Sequence, residues 1–411
     1  STVRPAASTN PTASSDVDVT AGTVDNGNTI TVNGGATVNG THTSSSSGQL
    51  TFSGGSTTHT LAGSGTYGTV ELDESTDFSS APEATISEGA TFGDLTATTG
   101  VLEVTSSTVT VNDVTIDSQV QLEAQLDIQN SGTVNGTLRI EENGSVGTTS
   151  PSYGNNATLV YASGTSDYRR FNEWNSTSGP GHPTNVTVRN GTRVNLNNGA
   201  AKTAREMAGD LTIKPDSELD MNGMEAALTV DGGITVETNG TDGTLTLGGV
   251  DGNLNVGGNF VVDGTFNDNG SLITLNGASQ QEIGGSVSPI DVPRLTINNS
   301  NGSGSGDVEL KTGVDILNTL TLSQGDLATN GNLTLTSESE TNAGYIAGTG
   351  SGTVGGGTVS DDREVTFERY LDKSDDASHF RFLSAPTATL LDDEGSGSNA
   401  GNLLSNMWTQ S

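Results

Sequence analysis

The chain has 411 residues, of which 30% are hydrophobic and 4% aromatic, too little apolar material for two or three ordinary globular cores. It contains no Cys, which excludes disulfides, thiolate metal ligands and Cys nucleophiles. Fifteen basic against 49 acidic residues give a formal charge of -34, which repels phosphates, so we expect neither nucleic-acid partners nor membrane insertion.

Residues 1–16 are polar and contain Pro5 and Pro11, which predicts an extended N-terminal arm that could lie along a neighbouring molecule. The Ser/Thr/Pro-rich opening at Ser1 is typical of a mature end left by signal-peptide removal. We therefore expect an extracellular or cell-surface location.

Residues 17–360 consist of short runs, in which apolar residues alternate with Thr and other polar residues, separated by turns. Ile30–Val32 followed by Asn33 and Gly34 is typical, and the sequence holds thirteen Asn-Gly pairs, which accept the positive φ of tight turns. An antiparallel sandwich array and a parallel β-helix both fit this pattern. The short runs and the lack of domain breaks favour an all-β, elongated parallel β-helix (β-solenoid), with about 15 coils of about 20 to 25 residues.

Two segments lack this pattern of short strands and turns. Residues from about 165 to 184 read as a loop insertion, and 361–411 as a C-terminal cap or the start of a further module. The insertion supplies the candidate glycan-binding residues Tyr168, Arg169, Arg170, Trp174 and His182, because exposed rings stack on sugars and Arg binds carboxylates. The alternative is that these residues pack over the side of the solenoid, which the scarcity of large side chains favours.

Basic residues are unevenly distributed. None lies between Pro5 and Leu138, whereas seven of the fifteen lie between Arg169 and Lys214. Head-to-tail association of an acidic end with this middle is one interpretation, and local pairing with neighbouring acids is the other.

No metal site or cofactor is predicted, because the acidic pairs lack calcium-loop spacing and the four His are far apart. No catalytic residues are predicted either. A polysaccharide lyase or hydrolase would need carboxylates beside a basic residue on one face, and the basic region has few carboxylate pairs.

Several runs carry a family resemblance. They are Gly258 to Phe260, Gly264 to Asn267, Ile273 to Gly277, Gln280 to Gly285 and Leu295 to Ser300, with Arg169 to Trp174, Glu368 to Leu371 and Arg381 to Pro386. They resemble repeats of large secreted surface proteins of the Bacteroidota and their relatives. The resemblance implies export, commonly by the type IX route, and it brings no catalytic residues.

The sequence thus predicts a structural protein rather than an enzyme: a self-assembling subunit of an extracellular fibre or surface coat, with itself as partner. The alternative is a surface adhesin or glycan-binding module that uses residues 168–182.

Overall fold

The structure is a computed structural model that describes residues 2–3, 12–13, 16–54, 58–73, 83–105, 107–198, 202–302, 306–337, 343–347, 351–354 and 365–368. These residues form a β-solenoid of about 14 turns, which confirms the predicted fold class and comes close to the expected coil number. Every strand pair in the described ladders is parallel, so the antiparallel sandwich alternative is wrong.

One sheet, here called the long sheet, contributes a strand to nearly every coil and has 16 strands in chain order. They are Val17–Val19, Ala36–Val38, His59–Ala62, Ala84–Ile86, Val101–Val104, Gln119–Leu122, Thr137–Ile140, Thr158–Tyr161, Asn185–Val188, Leu211–Ile213, Ile234–Val236, Phe260–Val262, Gln281–Gly284, Val308–Leu310, Asp326–Ala328 and Thr353–Val354.

In the first half of the sequence a 13-stranded sheet, here the N-terminal sheet, closes the coil. Its strands are Thr2–Val3, Thr12–Ala13, Thr23–Asn26, Thr29–Val32, Thr41–Ser44, Gln49–Phe52, Thr66–Tyr67, Val70–Asp73, Thr91–Thr99, Val109–Ile116, Gln125–Val134, Ser145–Thr148 and Ser152–Tyr153.

In the second half two sheets, of five and nine strands, replace the N-terminal sheet. The five are Tyr168–Arg169, Arg193–Asn195, Glu218–Asp220, Thr244–Thr246 and Thr265–Asn267. The nine are Arg205–Met207, Leu228–Val230, Leu254–Val256, Leu272–Leu275, Ile290–Asn298, Val314–Gln324, Leu333–Leu335, Tyr345–Ala347 and Val365–Phe367. A single 3-10 turn among the described residues, Asn172–Trp174, lies where the sheets change.

The core is a set of apolar files that run along the solenoid axis. One file in the long sheet joins ten register partners: Leu102, Val120, Leu138, Leu159, Val186, Leu211, Ile234, Phe260, Ile283 and Leu310. Each side chain is at most 1% exposed. Burial of one such side chain stabilises the fold by roughly 1.5–3 kcal/mol, so alternation within three-residue strands suffices to hold each coil.

The coil length varies along the chain. Register partners Leu102, Val120 and Leu138 are 18 residues apart, whereas Leu159 and Val186 are 27 apart. The longer coil contains the predicted insertion. That segment does not leave the solenoid, because its strand Tyr168–Arg169 pairs in parallel with Val194 and Asn195.

Both predicted end segments have described parts that stack on the solenoid. Within 1–16, Thr2–Val3 pairs with Thr23 and Val24, and Thr12–Ala13 pairs with Thr31 and Val32. Within 361–411, Val365–Phe367 pairs with Leu333–Leu335. The rest of the predicted C-terminal cap or module lies outside the described residues.

Candidate functional site

The residues predicted to bind glycans mostly point inward. Trp174 is 0%, Arg170 4% and Tyr168 6% exposed. Their faces are therefore not available for stacking on a sugar, and the prediction of exposed aromatic rings is wrong for Tyr168 and Trp174. The alternative, packing against the solenoid, is what the structure shows, because burying a large ring in a protein with so few of them gains more than exposing it.

Glu173 is the centre of this buried cluster. Its Oε1 accepts hydrogen bonds from the hydroxyls of Tyr161 at 3.3 Å and Tyr168 at 3.2 Å and from the N–H of Phe171 at 2.8 Å. The hydroxyl of Tyr153 donates to the Glu173 carbonyl at 2.8 Å. Glu173 is 0% exposed, and its Oε2 makes no hydrogen bond within the described residues.

Burial raises the pKa of Glu173, and the hydrogen bonds from the Phe171 N–H and the Tyr168 hydroxyl oppose that rise because they favour the carboxylate. Burial likewise raises the pKa of Tyr161 well above its usual value, with Glu173 adding to the shift. These tyrosines are therefore neutral donors around the carboxyl group.

Side chains of this segment supply bonds between coils where the sheets change. Toward the preceding coil, the Tyr168 hydroxyl lies 3.0 Å from the Gly144 carbonyl and shares its one proton between that oxygen and Glu173 Oε1. Toward the following coil, Arg170 Nε donates to the Leu196 carbonyl and Trp174 Nε1 to the Glu206 carbonyl, both at 2.9 Å. The segment is thus an adaptor between two cross-sections, and its polar groups replace part of a backbone ladder.

Three residues of the segment remain at the surface to some degree. Arg169 is exposed and lies 3.7 Å from Asp167, and Phe171 is 49% exposed. His182 is half-buried, and its Nε2 has no hydrogen-bond partner among the described residues. Of the five predicted residues, only Arg169 therefore offers its polar group at the surface, because the Nε2 of His182 is itself buried.

Several residues of the basic cluster form local ion pairs. Arg193 lies 3.0 Å from Glu218 and also contacts Asp220, Lys202 lies 3.3 Å from Glu225, and Lys214 contacts Glu237. These pairs connect neighbouring coils. With the Arg169–Asp167 pair, local pairing thus accounts for four of the seven basic residues between Arg169 and Lys214.

Sequence reasoning missed Glu173 as the centre of the cluster. The available signal was its position directly before Trp174, since an acid next to a large ring that packs inward in a short turn is drawn into the interior with it. A second missed group is His42, which is 2% exposed beside Asn26. Nothing in the alternating pattern around His42 distinguishes it from an outward polar residue.

Other kinds of site were sought in the same residues. Within the described ranges there is no group of three or more His, Asp or Glu arranged to hold a metal ion. Those ranges also include no helix that is long and apolar enough to cross a membrane.

No family model matches the sequence, and neither the curated proteins nor the solved structures yield a match.

Proposed function

We propose that this protein is structural, a self-assembling subunit of an extracellular fibre or surface coat that is joined end to end. The observation that carries the proposal is the incomplete burial of apolar side chains at the two ends of the solenoid. Ten apolar residues pack against the core while only partly buried, and four lie in the first or the last described coils: Val17, Ile346, Val354 and Val365.

A further coil would cover these side chains. The first coil presents parallel strands at Thr2–Val3, Thr12–Ala13 and Val17–Val19, and its open edge corresponds to the edge that each later coil of this half presents to its predecessor. At the other end Thr353–Val354 and Val365–Phe367 are the last described strands of their sheets. A second copy of this protein can therefore continue the long sheet, which has a described strand at both ends, Val17–Val19 and Thr353–Val354.

The resemblance to secreted surface proteins supports an extracellular setting. The charge of -34 supports solubility between assembly events.

The first test is the oligomeric state of the full-length protein. Sedimentation velocity across a wide concentration range should reveal species larger than the monomer, and negative-stain electron microscopy should show rods that lengthen in units of one molecule. About 14 turns at the usual strand spacing correspond to roughly 70 Å per unit. A protein that stays monomeric at the highest concentration would contradict the proposal.

A point variant tests the end contact itself. The N–H of Val17 donates to the Gly35 carbonyl, and the Val19 carbonyl accepts from Asn39. Because backbone groups alternate along a strand, those of Asp18 point away from the second coil. Asp18→Pro therefore removes a donor from the end of the solenoid without breaking an internal bond.

Asp18→Pro should raise the concentration needed for assembly by roughly tenfold, the effect of one lost hydrogen bond. Asp18→Ala keeps the N–H and should assemble like the unmodified protein. Equal assembly by the two variants would show that this end is not the contact.

A further inference from the structure

The thirteen Asn-Gly pairs are chemically reactive dipeptides. The backbone nitrogen of Gly attacks Cγ of Asn, a new N–C bond forms, and Cγ releases its amide nitrogen as ammonia. Water then opens the cyclic imide to Asp or isoaspartate, so no other reactant is needed. Asn is thermolabile for this reason. The reaction requires an Asn side chain that can rotate and a Gly N–H that is not held in a hydrogen bond.

Most of the pairs fail one or both requirements. The N–H of Gly136 donates to the Ile116 carbonyl at 2.9 Å, while the Asn135 amide donates to Asp117 at 2.7 Å. The N–H of Gly144 donates to the Glu141 carbonyl and that of Gly277 to Gln281. The ladder geometry that makes these corners tight also protects them.

Asn239 and Gly240 differ from these pairs. They form the tip of a tight antiparallel hairpin that is closed by a bridge between Thr238 and Asp242. Both tip residues are exposed. Among the described hydrogen bonds, none involves the Asn239 side chain or the Gly240 N–H, and an added Cβ on Gly240 would meet no atom within 4 Å.

Asn222 is the nearest competitor, because it is also exposed and precedes Gly223, whereas Asn33 before Gly34 is half-buried. Its backbone is held on both sides, because the N–H of Asn222 donates to Asp220 at 2.8 Å and its carbonyl accepts from Asn197 at 3.4 Å. Asn239 is held on one side, through its N–H, which donates to the Thr241 carbonyl at 3.0 Å. An added Cβ on Gly223 would lie 2.9 Å from the Asn197 amide, so the space needed for the attacking geometry is restricted.

We propose that Asn239 is a site of spontaneous deamidation through a cyclic imide with Gly240, and that it reacts fastest of the described Asn-Gly pairs in the folded protein. The product places a new carboxylate beside Asp242, which accepts a hydrogen bond from Thr238 at 2.7 Å. In the isoaspartate product the hairpin backbone is one carbon longer. The flanking strand Ile234–Val236 belongs to the long sheet and Thr244–Thr246 to the five-stranded sheet. We expect both strands to keep their register with the neighbouring coils.

The test is incubation of the folded full-length protein at mildly alkaline pH, followed by digestion and tandem mass spectrometry. Deamidation appears as a mass increase of about 1 Da assigned to a single residue. The same incubation in urea measures each pair in the unfolded state. Asn239 should react in the folded protein at a rate within about threefold of its unfolded rate, and Asn135 at least about tenfold more slowly than its own unfolded rate.

The ratio of folded to unfolded rate decides the outcome. A ratio for Asn239 as low as that for Asn135, or a folded rate for Asn222 above that for Asn239, would overturn the proposal. The variant Asn239→Gln should remove the early product and leave the rates at the other pairs unchanged. An early product of unchanged amount in that variant would place the reaction elsewhere and also overturn it.

Discussion

The indole N–H of Trp174 donates a hydrogen bond to the carbonyl of Glu206 at 2.9 Å, across 32 residues and between two coils. Trp174 is the largest fully buried side chain in the described structure. A residue that sequence patterning assigns to ligand binding therefore holds together the place where the cross-section of the solenoid changes.

Trp174→Ala should lower the free energy of unfolding by about 3–5 kcal/mol, because it removes a buried ring and leaves the Glu206 carbonyl unpaired. Phe171→Ala provides the control. Because Phe171 is 49% exposed, its truncation should lower the free energy of unfolding by less than about 1 kcal/mol. Urea unfolding of the two variants measures both. Similar losses of unfolding free energy in the two variants would show that Trp174 does not stabilise this segment.

Glu173 gives the adaptor a pH dependence of defined sign. Its native pKa is raised by burial, so the native state holds the proton more tightly than the unfolded state does. Stability from this group is therefore full below the unfolded pKa of about 4.5 and declines as the pH rises through the native pKa.

Glu173→Gln cannot ionise, so the stability of the variant relative to the unmodified protein should improve as the pH rises from 4.5. Urea unfolding of both proteins at several pH values measures this difference. A constant difference across that range would contradict a buried, titrating Glu173.

The fold followed from the sequence because each three-residue strand carries its own signal. Alternation alone places Leu211 and Ile213 inward and Thr212 outward, and the same rule holds in neighbouring strands. The burial of Tyr168 and Trp174 did not follow, since a coil of 27 residues can hold its extra length either outside the solenoid or within it. Only the partners on adjacent coils, such as the Gly144 and Glu206 carbonyls, decide between these arrangements.

The Asn-Gly pairs show a second limit of sequence reasoning. Gly191 has the positive φ of 69° that the dipeptide suggests. Gly144 is not among the positive-φ residues, and a Cβ there would overlap the carbonyl oxygen of Leu122 in the preceding coil. One dipeptide thus serves two purposes, backbone conformation and close stacking. The second depends on the coil-to-coil distance, which a sequence does not contain.

Gly144→Ala should consequently destabilise the fold strongly, by more than about 2 kcal/mol, because a backbone atom of the neighbouring coil must move to admit the methyl group. Gly27→Ala is a matched control within another Asn-Gly pair, since its nearest contact would be Ser45 Oγ at an ordinary 3.7 Å. Thermal and urea unfolding should separate the two variants. Equal stability would show that neighbouring coils can shift at no cost.

His42 should make the N-terminal half sensitive to acid. Its Nδ1 accepts the N–H of Gly68 at 3.0 Å and its Nε2 lies 2.9 Å from Asn26 Oδ1, an arrangement that requires the neutral ring. Burial lowers the pKa of His42 from 6.5 to about 4, against the opposing charge of Asp25. The unfolded state therefore takes up a proton first, and stability is lost as the pH falls from 6.5 toward 4.

A shift of this size corresponds to roughly 3 kcal/mol over the whole window. His42→Gln removes the titration, so between pH 7.5 and pH 4.5 the unmodified protein should lose roughly 2–3 kcal/mol more than the variant. Urea midpoints at the two pH values provide the measurement. Parallel losses in both proteins would assign the acid sensitivity to other groups.

Salt should stabilise this protein although its cations are paired. The pairs of Arg193, Lys202 and Lys214 are at least partly exposed, and each is worth at most about 1 kcal/mol, so the salt that weakens them costs little. The formal charge of -34 produces repulsion along the whole rod, and 1 M salt shortens its range to about 3 Å.

We expect the melting temperature to rise by at least about 2 °C between 50 mM and 1 M NaCl at pH 7.5. At pH 4, where many carboxylates are protonated, the rise should be smaller. A melting temperature that falls with salt at pH 7.5 would mean that the local pairs outweigh the net repulsion.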